Sequence, residues 1–182
     1  MEDHIYLAYM VNPLAAIVSP FFLGMVADRF FDTEKIMGVL HIVGGVFMFL
    51  APIVAETTGS VTLFILMLLL HNLCFAPTLS LVNSLSFHHL TDQEKQFPVI
   101  RVLGTIGWIA AGVFVSGILH ADLTAIPLYI SGGSGLLMGL YCFSLPHTPP
   151  LAKGEKATFR EISGIDALSK LNSRSFVVFI VA

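Results

Sequence analysis

Positive charge is rationed along this chain, and where it falls limits the possible folds more than any other feature. All nine Lys and Arg residues lie in three polar stretches: Arg29 with Lys35, Lys95 with Arg101, and then Lys153, Lys156, Arg160, Lys170 and Arg174. The connections between these stretches carry acids and no base: Glu2 and Asp3 at the start, then Glu56, then Asp122. Everything between is apolar over bilayer-sized lengths, since crossing about 30 Å of hydrocarbon takes roughly 20 helical residues. The runs predict spans over 6–27, 36–55, 61–85, 98–119 and 126–145, with another opening at 176–182. Basic and base-free connections in strict alternation are what the positive-inside rule requires of a polytopic membrane protein. The basic connections are then cytoplasmic, and residue 1 lies outside, on the periplasmic or extracellular face.

Composition closes off other classes. Only 12% of the 182 residues are charged, about half of the roughly 25% usual in soluble domains. A net charge of −3, with no basic patch apart from the membrane flanks, argues against a nucleic-acid partner. Cys74 and Cys142 sit inside apolar runs and read as small packing residues, not as a disulfide or metal pair. Glu2 and Asp3 occupy the place where a cleavable signal peptide needs positive charge. No nucleophile with a base, and no histidine with thiolate or carboxylate partners at ligand spacing, lies on the spans, so neither an enzyme nor a metal site is expected.

Helix breakers and small residues are used as membrane bundles use them. Pro77 lies mid-run and is expected to kink its helix, whereas Pro98 is expected to open one. Gly104, Gly107, Gly112 and Gly117 make the clearest run for close helix packing, followed by Gly132, Gly133, Gly135 and Gly139. His41, His71 and Asn72 fall within spans and are expected either to bond a neighbouring helix or to meet a cavity. Asn83 and Ser84 are expected to bridge helices, and His88 and His89 to be solvated at an inner helix end. The only long hydrophilic segment, 146–175, reads as a cytoplasmic connector with a short amphipathic helix near 159–171.

One polar stripe stands out. Arg101, Thr105 and Trp108 are spaced i, i+4 and i+7, so a single helix face presents a guanidinium, a hydroxyl and an indole. Hydrogen-bond donors beside an aromatic face suit a sugar or a heteroaromatic ring. The alternative for Arg101, one turn inside the span, is an anchor that snorkels to the inner surface.

Two motifs carry a family likeness. Gly24-Met-Val-Ala-Asp28-Arg29 resembles the loop between the second and third helices of the major facilitator superfamily. There the Gly allows close packing, and the Asp and Arg sit at the interface. The match is partial, because Phe31, Asp32 and Thr33 stand where that family has Gly and further bases. In this register the chain comprises helices two to six plus the start of helix seven, and 146–175 falls at the central loop between two six-helix halves. Within the superfamily, Pro77-Thr-Leu-Ser-Leu-Val-Asn83-Ser-Leu-Ser86-Phe and Phe97-Pro-Val-Ile-Arg101-Val-Leu-Gly104-Thr105-Ile-Gly107-Trp108-Ile resemble the bacterial nucleoside:proton symporters. The likeness implies an all-α membrane protein with a facilitator-type bundle that takes up nucleosides across the inner membrane by alternating access. It implies no cofactor, with the proton gradient as energy source. Its partners would be nucleosides, protons, the lipid bilayer and a C-terminal half that this chain lacks. It gives substrate-binding roles to Arg101, Thr105 and Trp108, the last replacing the family's usual Phe, and a structural role to Gly24, Asp28 and Arg29. A sugar:proton symporter of the same superfamily is the competing expectation. No Asp or Glu lies mid-span, so a proton-carrying carboxylate is expected in the missing half.

Overall fold

A computed structural model describes residues 5–22 and 31–150, the side chains of residues 5 and 20–22 excepted. The Gly24–Arg29 motif, the amphipathic segment at 159–171 and the start of a further helix at 176–182 lie outside the described residues. Those described form helices α1 (Ile5–Phe22), α2 (Thr33–Thr58), α3 (Val61–His89), α4 (Gln93–Gly112) and α5 (Ile126–Cys142), with a π-helical turn, Val113–Ile118, continuing α4. Three stretches are long and apolar enough to cross a membrane: Thr33–Thr58, Val61–His89 and Gln93–Ile118. Tyr6–Ser19 and Ile126–Cys142 are shorter apolar helices. Large apolar side chains such as Tyr9, Ile17, Leu79, Leu103 and Leu137 remain exposed, as they do on helices whose solvent is lipid.

The ends of the helices follow from local chemistry. Gly59 closes α2 in the left-handed region, φ 64°, its N–H donating to Ala55 O, a conformation glycine adopts without strain. Ser60 Oγ then caps α3 by accepting from Leu63 N. Asp92 Oδ1 caps α4 by accepting from Lys95 N, while Gln96 Oε1 accepts from Asp92 N in return, a reciprocal arrangement close to a capping box. That cap starts α4 five residues before Pro98, which therefore sits inside the helix and does not open it. α3 runs from Val61 to His89 through Pro77.

Packing centres on α2, which lies between α3 and α5, while α1 packs on α3. The α1 contact uses Val11, Ala15 and Ser19, buried at i, i+4 and i+8. The α2–α5 contact is backbone against backbone. A Cβ added at Gly132 would meet Phe49 N at 2.7 Å, one at Gly45 would meet Gly132 O at 2.9 Å, and one at Gly139 would meet Gly38 O at 2.9 Å. Met37, Leu81 and Cys142 form the buried apolar centre joining α2, α3 and α5, and both cysteines are free thiols. The expected glycine run on α4 behaves otherwise. Gly104, Gly107 and Gly112 have nothing within 4 Å of an added Cβ, because α4 touches the bundle only slightly, at α3.

A polar knot closes one end of the bundle. Glu34, 4% exposed, accepts from Thr148 N with Oε2 (3.0 Å) and from His147 Nδ1 with Oε1 (3.1 Å). Thr33 N donates to Thr148 O, and His89 Nε2 lies 2.8 Å from Thr148 Oγ1. The start of α2, the end of α3 and the strand of chain leaving α5 are thereby tied together. His89 is part of this knot as well as being exposed.

Candidate functional site

Standing off from its neighbours, α4 leaves a cavity of about 670 Å³ between itself and α2, α3 and α5, within the roughly 300–1,000 Å³ of small-molecule sites. Its wall is mostly apolar. Leu40, Met48, Phe75, Ile130 and Met138 line it, with polar groups supplied by His41, His71, Asn72, Ser116, Ser131 and Ser134. Few, separated polar groups on an apolar wall are what orient a ligand without flooding the site.

Trp108 borders this cavity from α4, followed one turn on by Ala111 and Gly112. Its indole is 79% exposed, so an aromatic face stands open beside the cavity. Arg101 and Thr105 share its helix stripe but do not line the cavity; they continue the stripe toward the start of α4, exposed. Thr105 Oγ1 donates to Arg101 O at 3.1 Å. Its proton is thus committed to its own helix, and a ligand would meet its lone pairs.

The opposite wall was open in sequence between two readings, and His71 satisfies both. Gly44 on α2 has no side chain, and α3 approaches so closely there that an added Cβ would meet Cys74 Cβ at 3.0 Å. His71 Nδ1 consequently reaches Gly44 O at 2.9 Å while the ring borders the cavity. Phe75 lies against both imidazoles: the His71 ring stacks on it at 5.8 Å and 13°, and the His41 ring meets it edge-on at 6.2 Å and 71°. Asn72 Nδ2 donates to Leu68 O, leaving its carbonyl oxygen available. Asn83 and Ser84 line a second, separate recess with Ser80, Phe87 and His88.

Asp32, Glu34 and His147, in the polar knot, offer three ligand atoms within 4.8 Å of one another. Both Glu34 oxygens already accept hydrogen bonds, and Asp32 Oδ2 pairs with Lys35 Nζ at 2.6 Å. The cluster is held by its own bonds and by Lys35, which suits a structural tie.

Comparison with known proteins places these features in a family. Residues 2–182 match the family described as Nucleoside H+ symporter. YegT of Escherichia coli, named as a candidate nucleoside transporter, is 41% identical over 178 residues, which cover 94% of this chain and 41% of YegT. The xanthosine permease of Escherichia coli is 32% identical over 177 residues (95% and 41%) and its nucleoside permease NupG 28% over 172 (92% and 40%). The chain thus spans about two fifths of the length of these relatives. The crystal structure of an Asp→Ala mutant of nucleoside transporter NupG superposes with a TM-score of 0.79 at 27% identity, over 96% of this chain and 43% of that one.

Proposed function

This chain belongs to the Nucleoside H+ symporter family, and from that premise we propose that the protein of which it forms part takes up nucleosides across a bacterial inner membrane, driven by proton influx. The fold is the all-helical, facilitator-type bundle of its structural neighbour. The observation that carries the substrate reading is the α4 stripe, in which Arg101, Thr105 and an open Trp108 face lead into a cavity of about 670 Å³. An indole stacks on a base, a guanidinium donates to carbonyl or ribose oxygens, and Thr105 accepts from a hydroxyl. These three residues are the proposed substrate-binding set, with Gly24, Asp28 and Arg29 as the structural loop. The protein acts as a transporter without enzymatic chemistry or a cofactor, and a C-terminal half completes it.

The polar knot supports the topology. It gathers the start of α2, the end of α3 and the chain after α5 at one end, next to the connections that hold the bases. That end is cytoplasmic in this reading, and residue 1 is periplasmic. Alternating access then moves two halves about a midplane site.

Full-length protein in cells without their own nucleoside uptake should accumulate labelled uridine or adenosine, and a protonophore should abolish accumulation. Disaccharide uptake unaffected by excess nucleoside would favour the sugar:proton alternative, which family membership disfavours.

A further inference from the structure

The cavity holds two ionisable side chains that substrate recognition through α4 leaves unused. His41 comes from α2 and His71 from α3; α4 and α5 line the cavity with no acid, base or further histidine. Among the described residues, then, these imidazoles are the titratable groups facing the cavity. Ionisable groups at membrane depth are costly and tend to mark ion or proton paths, and histidine changes charge nearest neutral pH.

The geometry makes His71 specific. A carbonyl oxygen only accepts, so the 2.9 Å contact with Gly44 O fixes the proton of neutral His71 on Nδ1. Nε2 is left with the basic lone pair. The ring cannot easily turn away, because Phe75 stacks on it at 5.8 Å and the bond crosses to a helix held close by Gly44.

We propose that His71 is a proton-binding residue of the transport cycle, charged and discharged at Nε2 from the cavity, with His41 as its electrostatic neighbour. Nε2 takes a proton from cavity water to give the imidazolium, whose Nδ1–H remains on Gly44 O. Loss of the same proton to water on the opposite side regenerates the neutral ring, so no other reactant is consumed. His41 and His71 share the Phe75 ring, which places the two imidazoles side by side on the cavity wall. This rests on the proton-coupled reading above and adds a residue to it.

His71→Asn separates the two roles of the side chain. The Asn amide nitrogen stands near the position of Nδ1 and can still donate to Gly44 O, but nothing remains to titrate. In vesicles containing the full-length protein, uridine counterflow, which needs no net proton movement, should stay within about twofold of wild type. Proton-driven uridine accumulation and uridine-induced alkalinisation of the medium should fall at least about tenfold. Wild-type proton uptake in His71→Asn overturns the proposal, leaving the residue as a helix tie. Loss of counterflow in folded His71→Asn also overturns it, because a coupling residue must spare exchange. Should His71→Asn not fold, His41→Asn leaves His71 and its Gly44 bond in place and should keep proton-driven uridine accumulation within about twofold of wild type; its loss there overturns the assignment of the proton to His71. Wild-type protein that moves no nucleoside overturns the transport reading and this proposal together, whereas a normal wild type with a normal His71→Asn overturns this proposal alone.

Discussion

The seam between α2 and α5 and the free flank of α4 are both lined with glycines, yet they do opposite things. In the seam, Gly38 and Gly45 face Gly132, Gly135 and Gly139 so closely that added Cβ atoms would strike backbone. On α4, Gly104, Gly107 and Gly112 meet open space. Glycine at a packed interface brings two backbones into van der Waals contact, the main source of association between helices in lipid. Glycine on an unpacked face contributes only its weak helix propensity. The same residue type at similar spacing therefore joins two backbones on one side of the cavity and, among the described residues, meets no partner on the other.

The sharpest way to break this comparison is to add one methyl group to the seam. Gly132→Ala places a Cβ 2.7 Å from Phe49 N and 2.9 Å from Gly45 O. Backbone atoms cannot swing aside as a side-chain tip can, so α2 and α5 must separate along their length. The expected loss is about 3 kcal/mol, the upper part of the usual overpacking range. Thermal unfolding of purified protein in detergent reads it directly, and an unchanged midpoint would mean the helices are not in backbone contact.

On the loose wall the largest effect concerns binding. If Arg101 only anchored α4 at the interface, any long cation would serve, and Arg101→Lys would bind normally. A guanidinium that recognises substrate presents a planar fork that an ammonium does not reproduce. Losing hydrogen bonds from a charged donor costs about 1.5–3 kcal/mol, roughly ten- to a hundredfold in affinity. Arg101→Lys in the full-length protein should therefore reach the membrane at normal levels and lose most uridine binding, measured at equilibrium.

The knot offers an intermediate test. Glu34→Gln keeps the size of the side chain but replaces one acceptor oxygen with an NH2 group. Thr148 N keeps the remaining oxygen, and His147 Nδ1, which now donates to Glu34, must turn to water or change tautomer to accept from the new amide. An unsatisfied group of this kind costs about 1–3 kcal/mol when buried. His147 is solvent-accessible and can turn to water, so a loss near the lower bound, about 1 kcal/mol, is expected in the same unfolding assay.

How much of this could be read in sequence depends on the range over which each contact is decided. Three long apolar helices, Thr33–Thr58, Val61–His89 and Gln93–Ile118, were legible because twenty apolar residues need no knowledge of a neighbour. The α4 stripe was legible because i, i+4 and i+7 share a face on any helix. The start of α4 was not, because Pro98 looked like a first-turn residue while the reciprocal Asp92–Gln96 cap, one turn upstream, decides the matter. The far wall of the cavity was only half legible. His71 could be named, but its partner is a carbonyl exposed to α3 by the bare backbone at Gly44, and carbonyls carry no sequence signal. The Glu34–His147 contact joins residues 113 positions apart, and neither residue belongs to a pattern that announces the other. Of the two glycine runs, Gly132, Gly135 and Gly139 pack as expected, while Gly104, Gly107 and Gly112 meet nothing among the described residues: spacing marks a helix face as able to pack, while what lies opposite decides whether it does.

The smallest expected effect tests that last distinction. Gly107 sits mid-helix on α4 with no atom within 4 Å of where a Cβ would stand, so Gly107→Ala meets no obstacle in this 182-residue chain. Alanine restricts the unfolded backbone and favours the helix by up to about 1 kcal/mol over glycine at an exposed interior position. In lipid or detergent much of that preference is already met, because an unbonded backbone is unfavourable there whatever the side chain. The expected change in the unfolding midpoint is therefore slight and toward stability, opposite in sign to Gly132→Ala and several times smaller. The substitution reads differently once the rest of the protein is present. A segment of the full-length protein packed on this flank would meet the new methyl group, and the change would turn destabilising. Measured in both chains, Gly107→Ala distinguishes a wall left free to move from a seam whose second helix lies elsewhere in the protein.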